Sequence, residues 1–318
     1  MNVNEIITKT ILERLQSAEK SGETFYWAKP FGQGAATVPL SYDQSRAYTG
    51  INRCLLEPNE FITARKGAEY GCHIRKGAKA NIVIFFSRIP KTDENGEPII
   101  DKDTGEVITR GFLRYYHVFS REDMIDQDGN SLPSKLDFKR YNHEEQIERM
   151  KQVIEIFNQM VEQYCQDNNI KIEVVKDGTQ AYYSPSKDVI RIPEISSFDS
   201  VYEYVSTLSH ELGHSTAKEL DRKLGQSREK YSYEELVAEL TSAYIVQNLS
   251  AYGLVDDRRH KENTLAYLQG WSSFLEDKSN ALVSAAAKAQ EASDYILSYL
   301  PERERNKDIS KNRDEEER

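Results

Sequence analysis

Residues 210–214 read His-Glu-Leu-Gly-His, two imidazoles four positions apart with a carboxylate beside the first. On an α-helix each residue advances about 100°, so His214 stands only ~40° round from His210 and one turn above it. Two imidazoles on one face can bind a single divalent ion. Glu211, ~60° round from His214 at the edge of that face, can reach a water on the ion without being a ligand. Zinc lowers the pKa of such a water to ~7, and the glutamate accepts its proton as the oxygen attacks a carbonyl. The preceding Val201-Tyr202-Glu203-Tyr204-Val205-Ser206-Thr207-Leu208 supplies an apolar helical face without proline, and Gly213 suits a helix packed closely beside a metal.

A catalytic zinc keeps one position open and takes its other ligands from side chains, so a further ligand is expected from a second helix. Glu234-Glu235-Leu236-Val237-Ala238-Glu239 begins twenty residues after His214 and suits that role. Glu235 is assigned as the third ligand. Glu239, one turn on, is assigned to hold a histidine N–H, because ligating imidazoles donate their other nitrogen. Glu234 and Glu239 are the competing ligand candidates. Two His and one carboxylate suit Zn2+, with Mn2+ or Co2+ as alternatives. Tyr231 and Tyr233, just ahead of these acids, are candidate donors to a developing oxyanion.

These residues need elements to hold them. Apolar spacing predicts helices over 4–20, 61–71, 143–168, 199–220 and 233–249, and one or two more within 261–300. Strands are expected at 80–88 and 112–119, joined by a polar hairpin at 91–107 with Asn-Gly and Thr-Gly turns. Two shorter strands, 171–175 and 189–192, flank a Ser-Pro-Ser turn, and 181–183 with 188–193 look like a small hairpin. Residues 25–47 are rich in turn formers, and 45–56 form an ordered loop leading into a short helix. The fold class is α+β: an N-terminal α+β domain (1–130), a linker (131–145), a mainly helical domain with a small β-sheet (146–300) and a charged, disordered tail (301–318).

Composition narrows the function. The chain of 318 residues carries a net charge of −10, which argues against a surface that coats nucleic acid throughout. That charge is uneven: residues 1–130 hold 17 Lys and Arg against 18 Asp and Glu, residues 131–318 hold 25 against 34. Within 61–90 the cations Arg65, Lys66, Arg75, Lys76, Lys79 and Arg88 face the single acid Glu69. Aromatics accompany cations in Phe25-Tyr26-Trp27-Ala28-Lys29-Pro30-Phe31 and in Arg46-Ala47-Tyr48-Thr49-Gly50-Ile51-Asn52-Arg53, and Ile74-Arg75-Lys76-Gly77-Ala78-Lys79-Ala80 leads into a strand. Rings that stack on bases and cations that follow phosphates suit single strands. No apolar run approaches the ~20 residues a membrane span needs, so no membrane partner is expected. Three widely spaced cysteines give no disulfide framework, and a reducing cytoplasmic location is expected.

The order Trp27-Ala28-Lys29-Pro30-Phe31, Tyr48-Thr49-Gly50-Ile51-Asn52, then Arg75-Lys76-Gly77-Ala78-Lys79 before an apolar strand resembles the N-terminal domain of ArdC-type antirestriction proteins. In the second half, Tyr183-Ser184-Pro185-Ser186, Thr207-Leu208-Ser209-His210-Glu211-Leu212-Gly213-His214 and Glu234 to Leu240 resemble that family's zincin-like metallopeptidase domain. The resemblance extends over 4–120 and 145–300. It implies a protein of plasmids, phages or integrative elements that binds single-stranded DNA through its first domain and blunts host restriction. Carried over by motif, the metal ligands are His210, His214 and Glu235, and the catalytic glutamate is Glu211. The DNA face would include Trp27, Lys29, Tyr48, Arg53, Arg75, Lys76 and Lys79. A peptidase delivered to DNA-bound protein targets, and a non-catalytic DNA-binding protein with a structural metal, are the alternative readings. The intact motif favours a water-activating site, since Glu211 has no role in a closed four-ligand one.

Overall fold

In a computed structural model of the chain, the described residues are 2–21, 37–101, 105–136, 142–176, 178–222, 224, 227–254, 278 and 280–301. Trp27, Lys29 and residues 302–318 lie outside them, as do 255–277, where part of the last helical stretch was expected.

The elements run α1 (Val3–Ser21), β1 (Leu40–Ser41), β2 (Arg46–Ala47), α2 (Ile51–Leu55), β3 (Glu60–Ile62), α3 (Ala64–Glu69), β4 (His73–Ile74), β5 (Asn81–Pro90), β6 (Thr109–Ser120) and β7 (Met124–Ile125). After these come α4 (His143–Asp167), β8 (Lys171–Val175), β9 (Tyr182–Ser184), β10 (Val189–Pro193), α5 (Val201–Ser215), α6 (Arg228–Ser250) and α7 (Ala281–Leu297). The architecture is a mixed β-sheet part followed by a mainly helical part with a small sheet. None of the described helices is long and apolar enough to cross a membrane.

The N-terminal sheet has the order β2-β1-β3-β6-β5. Its backbone is the long antiparallel β5–β6 pair, in register from Asn81 opposite Val118 to Pro90 opposite Thr109. The expected helix over 61–71 starts later. Phe61 and Ile62 pair with Ser120 and Phe119 as part of β3, both almost fully buried, and Thr63 then caps α3 by accepting from Lys66 N–H. Phe and Ile fit a pleated, buried position, and the cap residue marks the real helix start. In the second half, β8 and β10 pair in parallel and β9 lies antiparallel on the outer side of β10. The helix expected over 199–220 ends at Ser215. There the chain turns back, so that Arg222 N–H donates to the Ala217 carbonyl.

Two apolar clusters fix the helices that matter for function. One packs Phe157, Met160 and Tyr164 of α4 with Ile190 and Ile192 of β10, Val205, Leu208 and Leu212 of α5, Ile245 and Leu249 of α6 and Ile296 of α7. The other joins the two halves: Ile7, Ile11, Ile51, Cys54, Leu55 and Ile84 pack with Leu236, Val237, Leu240 and Tyr244 of α6 and Leu282, Ala285, Ala286 and Ala289 of α7. Each such fully buried large side chain contributes about 1.5–3 kcal/mol. Helix α6 is therefore apolar on opposite sides, as a helix enclosed between two cores must be.

Candidate metal centre

Helix α5 presents the histidines and α6 presents the acids. The two helices come close because Gly213 has no side chain: a Cβ there would lie 3.1 Å from Ala238 Cα and 3.2 Å from Thr241 Cβ. Farther toward the α5 N-terminus, Ser242 donates to the Ser206 carbonyl at 2.7 Å. Small residues on both helices thus bring Glu235 up to the imidazoles.

The result is a convergent donor set. Nε2 of His210 and Nε2 of His214 are 3.2 Å apart. Glu235 lies across both, with Oε2 3.5 Å from His210 Nε2 and Oε1 3.5 Å from His214 Nε2. One ligand atom from each of His210, His214 and Glu235 lies within 4.8 Å of the others, and this is the only such cluster of His, Cys, Asp or Glu among the described residues.

The opposite side of each ring is also engaged. His210 Nδ1 faces Glu239 Oε2 at 3.2 Å. His214 Nδ1 faces Glu234 Oε1 at 3.6 Å, so Glu234 has a counterpart role that sequence reading gave only as a competing ligand. Arg222, unmarked by any motif, pairs with Glu234 at 2.8 Å, donates to the Gly213 carbonyl at 2.8 Å and to Thr216 Oγ1 at 2.7 Å. The two partners are nearly buried, with 5% and 8% of their side chains exposed. No spacing rule finds Arg222, because it acts through a turn between helices.

Electrostatics match this layout. Burial pushes the His210 imidazole down, but the Glu235 and Glu239 carboxylates outweigh it and raise it to about 10. Burial pushes Glu235 up, and the two imidazoles bring it below its ordinary value. Glu234 is likewise lowered against burial, by His214 and Arg222. Glu211 goes the other way: burial raises its carboxyl, with the two imidazoles opposing. Its Oε2 accepts a 2.7 Å hydrogen bond from the Tyr183 backbone N–H on β9. Of the two candidate tyrosines, Tyr231 hydrogen-bonds Glu235, whereas the Tyr233 hydroxyl is turned to Ser284 on α7 at 2.8 Å.

The residues expected on a DNA face separate. Lys76 and Lys79 are exposed in the turn before β5. Arg75, also exposed, donates to the Glu122 carbonyl and to Ser131 Oγ. Tyr48 is half-buried, packed against Leu56, Phe61, Val83 and Val118, and burial raises its phenol. Arg53 corrects the expectation. It is only 4% exposed, donates to Gln247 Oε1 at 2.8 Å and to the Tyr244 carbonyl at 3.0 Å, and its guanidinium lies 4.5 Å over the Tyr244 ring. Its helix position faces the shared core, so it ties the halves together and cannot follow a phosphate.

Fold and site together define a zincin-like metallopeptidase domain behind a domain found in anti-restriction factors. Residues 159–288 match the zincin-like metallopeptidase family, and residues 1–119 match the N-terminal domain of anti-restriction factor ArdC. The two matches follow one another along the chain, the ArdC N-terminal one first. It is similar to the metal-free crystal structure of the antirestriction ArdC protein from the R388 plasmid, with TM-score 0.62 and 25% identity over 94% of this chain and 98% of that one. The Mn(II)-bound structure of the same protein gives TM-score 0.60 at 24% identity over the same shares. By sequence, the chain is 27% identical over 316 residues to the uncharacterized protein y4eC of Sinorhizobium fredii, covering 94% of each. It is 27% identical over 310 residues to a DNA primase TraC of Escherichia coli, of which it spans only 20%. A second Escherichia coli TraC is also 27% identical, over 304 residues, and the chain spans 27% of it.

Proposed function

We propose that this protein is a divalent-metal-dependent antirestriction protein that binds single-stranded DNA through its N-terminal half and hydrolyses, through its zincin-like centre, a protein or peptide substrate. His210, His214 and Glu235 are the metal ligands, with Glu239 and Glu234 holding the far nitrogens of the two imidazoles. The donor chemistry suits Zn2+, with Mn2+, the ion carried by the R388 ArdC protein in one of its structures, as an alternative. When bound, such an ion supplies a Lewis acid that polarises a carbonyl and acidifies a water. Glu211 is the general base: a buried carboxylate beside the ligand set, not one of the ligands, takes the proton of the attacking water and returns it. The Tyr183 N–H aims its carboxylate, and Tyr231 steadies Glu235.

The observation that carries this reading is the convergence of the three ligand atoms with a carboxylate behind each imidazole. The decisive experiment compares wild type with Glu211→Gln in a restriction-protection assay on incoming DNA and in a proteolysis assay, each after metal analysis. The reading expects both variants to hold one divalent ion per chain, and the substitution to abolish proteolysis and protection together. Protection that survives in a metal-loaded Glu211→Gln protein would overturn hydrolysis as the mechanism and favour a non-catalytic DNA-binding role.

A further inference from the structure

The β5–β6 hairpin carries a surface that no motif marked. In the antiparallel register, Val83 faces Tyr116, Phe85 faces Arg114, Ser87 faces Phe112 and Ile89 faces Arg110, and these pairs share one side of the hairpin. The other side begins with Ile82, Ile84 and Leu113, which pack into the core shared by the two halves. The first side is closed only at its base, where Val83 and Val118 pack with Leu56 and Phe61 and Tyr48 lies against them. Beyond that base Phe85 is 55% and Tyr116 46% exposed and Phe112 half-buried, while on the other side Phe86 and Tyr115 are also exposed past the shared core. A water-facing sheet side normally alternates to polar residues, so a row of exposed rings on it marks a binding surface.

Charge says what it binds. Over 81–90 and 109–120 the sequence holds Arg88, Arg110 and Arg114 and no Asp or Glu. Both sides carry exposed rings, but Arg110 and Arg114 stand on the side of Phe85, Phe112 and Tyr116 and only Arg88 on the other, and the Arg114 guanidinium lies 5.0 Å from the Phe112 ring centroid, a ring and a cation already set side by side. Acids return only in the segment between the strands, where the sequence holds Asp93, Glu94, Glu97, Asp101, Asp103 and Glu106 against Lys91 and Lys102, a net negative charge that would repel a phosphate chain and limit it to the stem. Ten paired residues give a stem of about 33 Å, within which several nucleotides fit. At the base the stem meets Lys79 and Lys76, so cations continue off the hairpin.

We propose that single-stranded DNA stacks its bases on Tyr116, Phe85 and Phe112 while Arg114 and Arg110 take the phosphates, with Tyr48 at the inner end of the track. This rests on the single-strand reading above and names its site. The stacking surface belongs to the hairpin, and the turn at 75–79 only extends it.

The test measures binding of a fluorescein-labelled oligothymidylate to the full-length protein by anisotropy across a salt series. Phe85→Ala with Tyr116→Ala should weaken binding about tenfold or more while thermal melting stays at the wild-type value, because both side chains are exposed. Arg110→Ala with Arg114→Ala should weaken binding and flatten the slope of log affinity against log salt by roughly one to one and a half. Phe85→Trp with Tyr116→Trp should keep affinity and gain indole fluorescence that the oligonucleotide quenches, which tests stacking even if the alanine pair folds poorly. Unchanged affinity in the alanine pair and no quenching in the tryptophan pair would overturn the assignment. If Lys76→Glu with Lys79→Glu then abolished binding, single-strand binding would stand at the turn instead. A wild-type protein that fails to bind the oligonucleotide, or binds the duplex equally well, would overturn the single-strand reading itself.

Discussion

The Tyr183 backbone N–H donates to Glu211 Oε2 across 2.7 Å, so the outer strand of the small sheet sets the direction of the carboxylate in the HExxH motif. Two opposed demands meet in this contact. Burial disfavours the Glu211 charge and raises its carboxyl above the ordinary value, while the backbone donor and the neighbouring imidazoles favour it. A folded-state pKa above the unfolded one means that ionisation at Glu211 subtracts from stability as pH rises through the folded value, and that the penalty is absent below the ordinary range of about 4.3. In chelator-treated protein, Glu211→Gln should therefore melt at or above wild type at neutral pH, with the difference gone in acid. Glu211→Ala, which strands the Tyr183 N–H, should melt lower, by about 1–3 kcal/mol. Scanning calorimetry at two pH values checks the pair.

Ligands and the carboxylates behind them should separate in metal affinity. Glu235→Ala removes a direct donor, so chelator competition should show the largest loss. Glu239→Ala and Glu234→Gln each remove the carboxylate behind one imidazole, and each should weaken binding about 10–100-fold. Equal losses for all three variants would mean that the acids act as a charge cluster rather than as placed partners.

Arg222 is the least visible part of this arrangement and should be among the most costly to remove. It satisfies Glu234 and the carbonyl of Gly213 at the same time, in a nearly buried pair. Arg222→Ala leaves a carboxylate without its cation where water hardly reaches, which costs about 3–5 kcal/mol. Arg222→Ala with Glu234→Gln should recover part of that loss in denaturant melts, while leaving metal affinity as weak as in a Glu234 variant. Full additivity of the two substitutions would show that the pair is not coupled.

The geometry of the candidate metal centre is legible because helix periodicity is rigid: given α5, the angle between His210 and His214 follows, and that between Glu235 and Glu239 follows from α6 in the same way. The long helices and the β5–β6 pair were legible for the same reason, since apolar spacing repeated over many residues. What sequence did not reveal depends on distant chain segments meeting. Phe61 and Ile62 read as the start of a helix until their partners Phe119 and Ser120 made them a strand. Glu234 and Arg222 are twelve residues apart and meet only because the chain turns between α5 and α6. The aromatic face of the hairpin escaped notice because Phe85 reads as core in a run of apolar residues. Only the tertiary structure, which covers the hairpin at its base and leaves Phe85 and Phe86 exposed, shows otherwise.

Arg53 is the sharpest case, because its surroundings reverse the meaning of its charge. Its neighbours Tyr48 to Asn52 suggested a phosphate contact, yet the side chain is enclosed between α2 and α6. Burial lowers its guanidinium to about 10, which still leaves it cationic at neutral pH. The adjoining contacts reach α6 and α7: the Tyr244 hydroxyl donates to the Gly50 carbonyl at 2.8 Å and lies 3.2 Å from Cys54 Sγ, and Gly50 N–H donates to Gln290 Oε1 on α7 at 2.9 Å. Helix α6 thus carries the metal-site acids at one end and the anchor of the N-terminal half farther along. Arg53→Ala should cost about 3 kcal/mol or more through two lost charge-assisted hydrogen bonds and a lost ring contact. Arg53→Lys should not restore it, since one ammonium cannot reproduce the planar fork over the Tyr244 ring. Below the melting transition, both variants should bind single-stranded DNA with the wild-type salt slope, because Arg53 contributes no phosphate contact. A slope reduced by about one would return the residue to the DNA face.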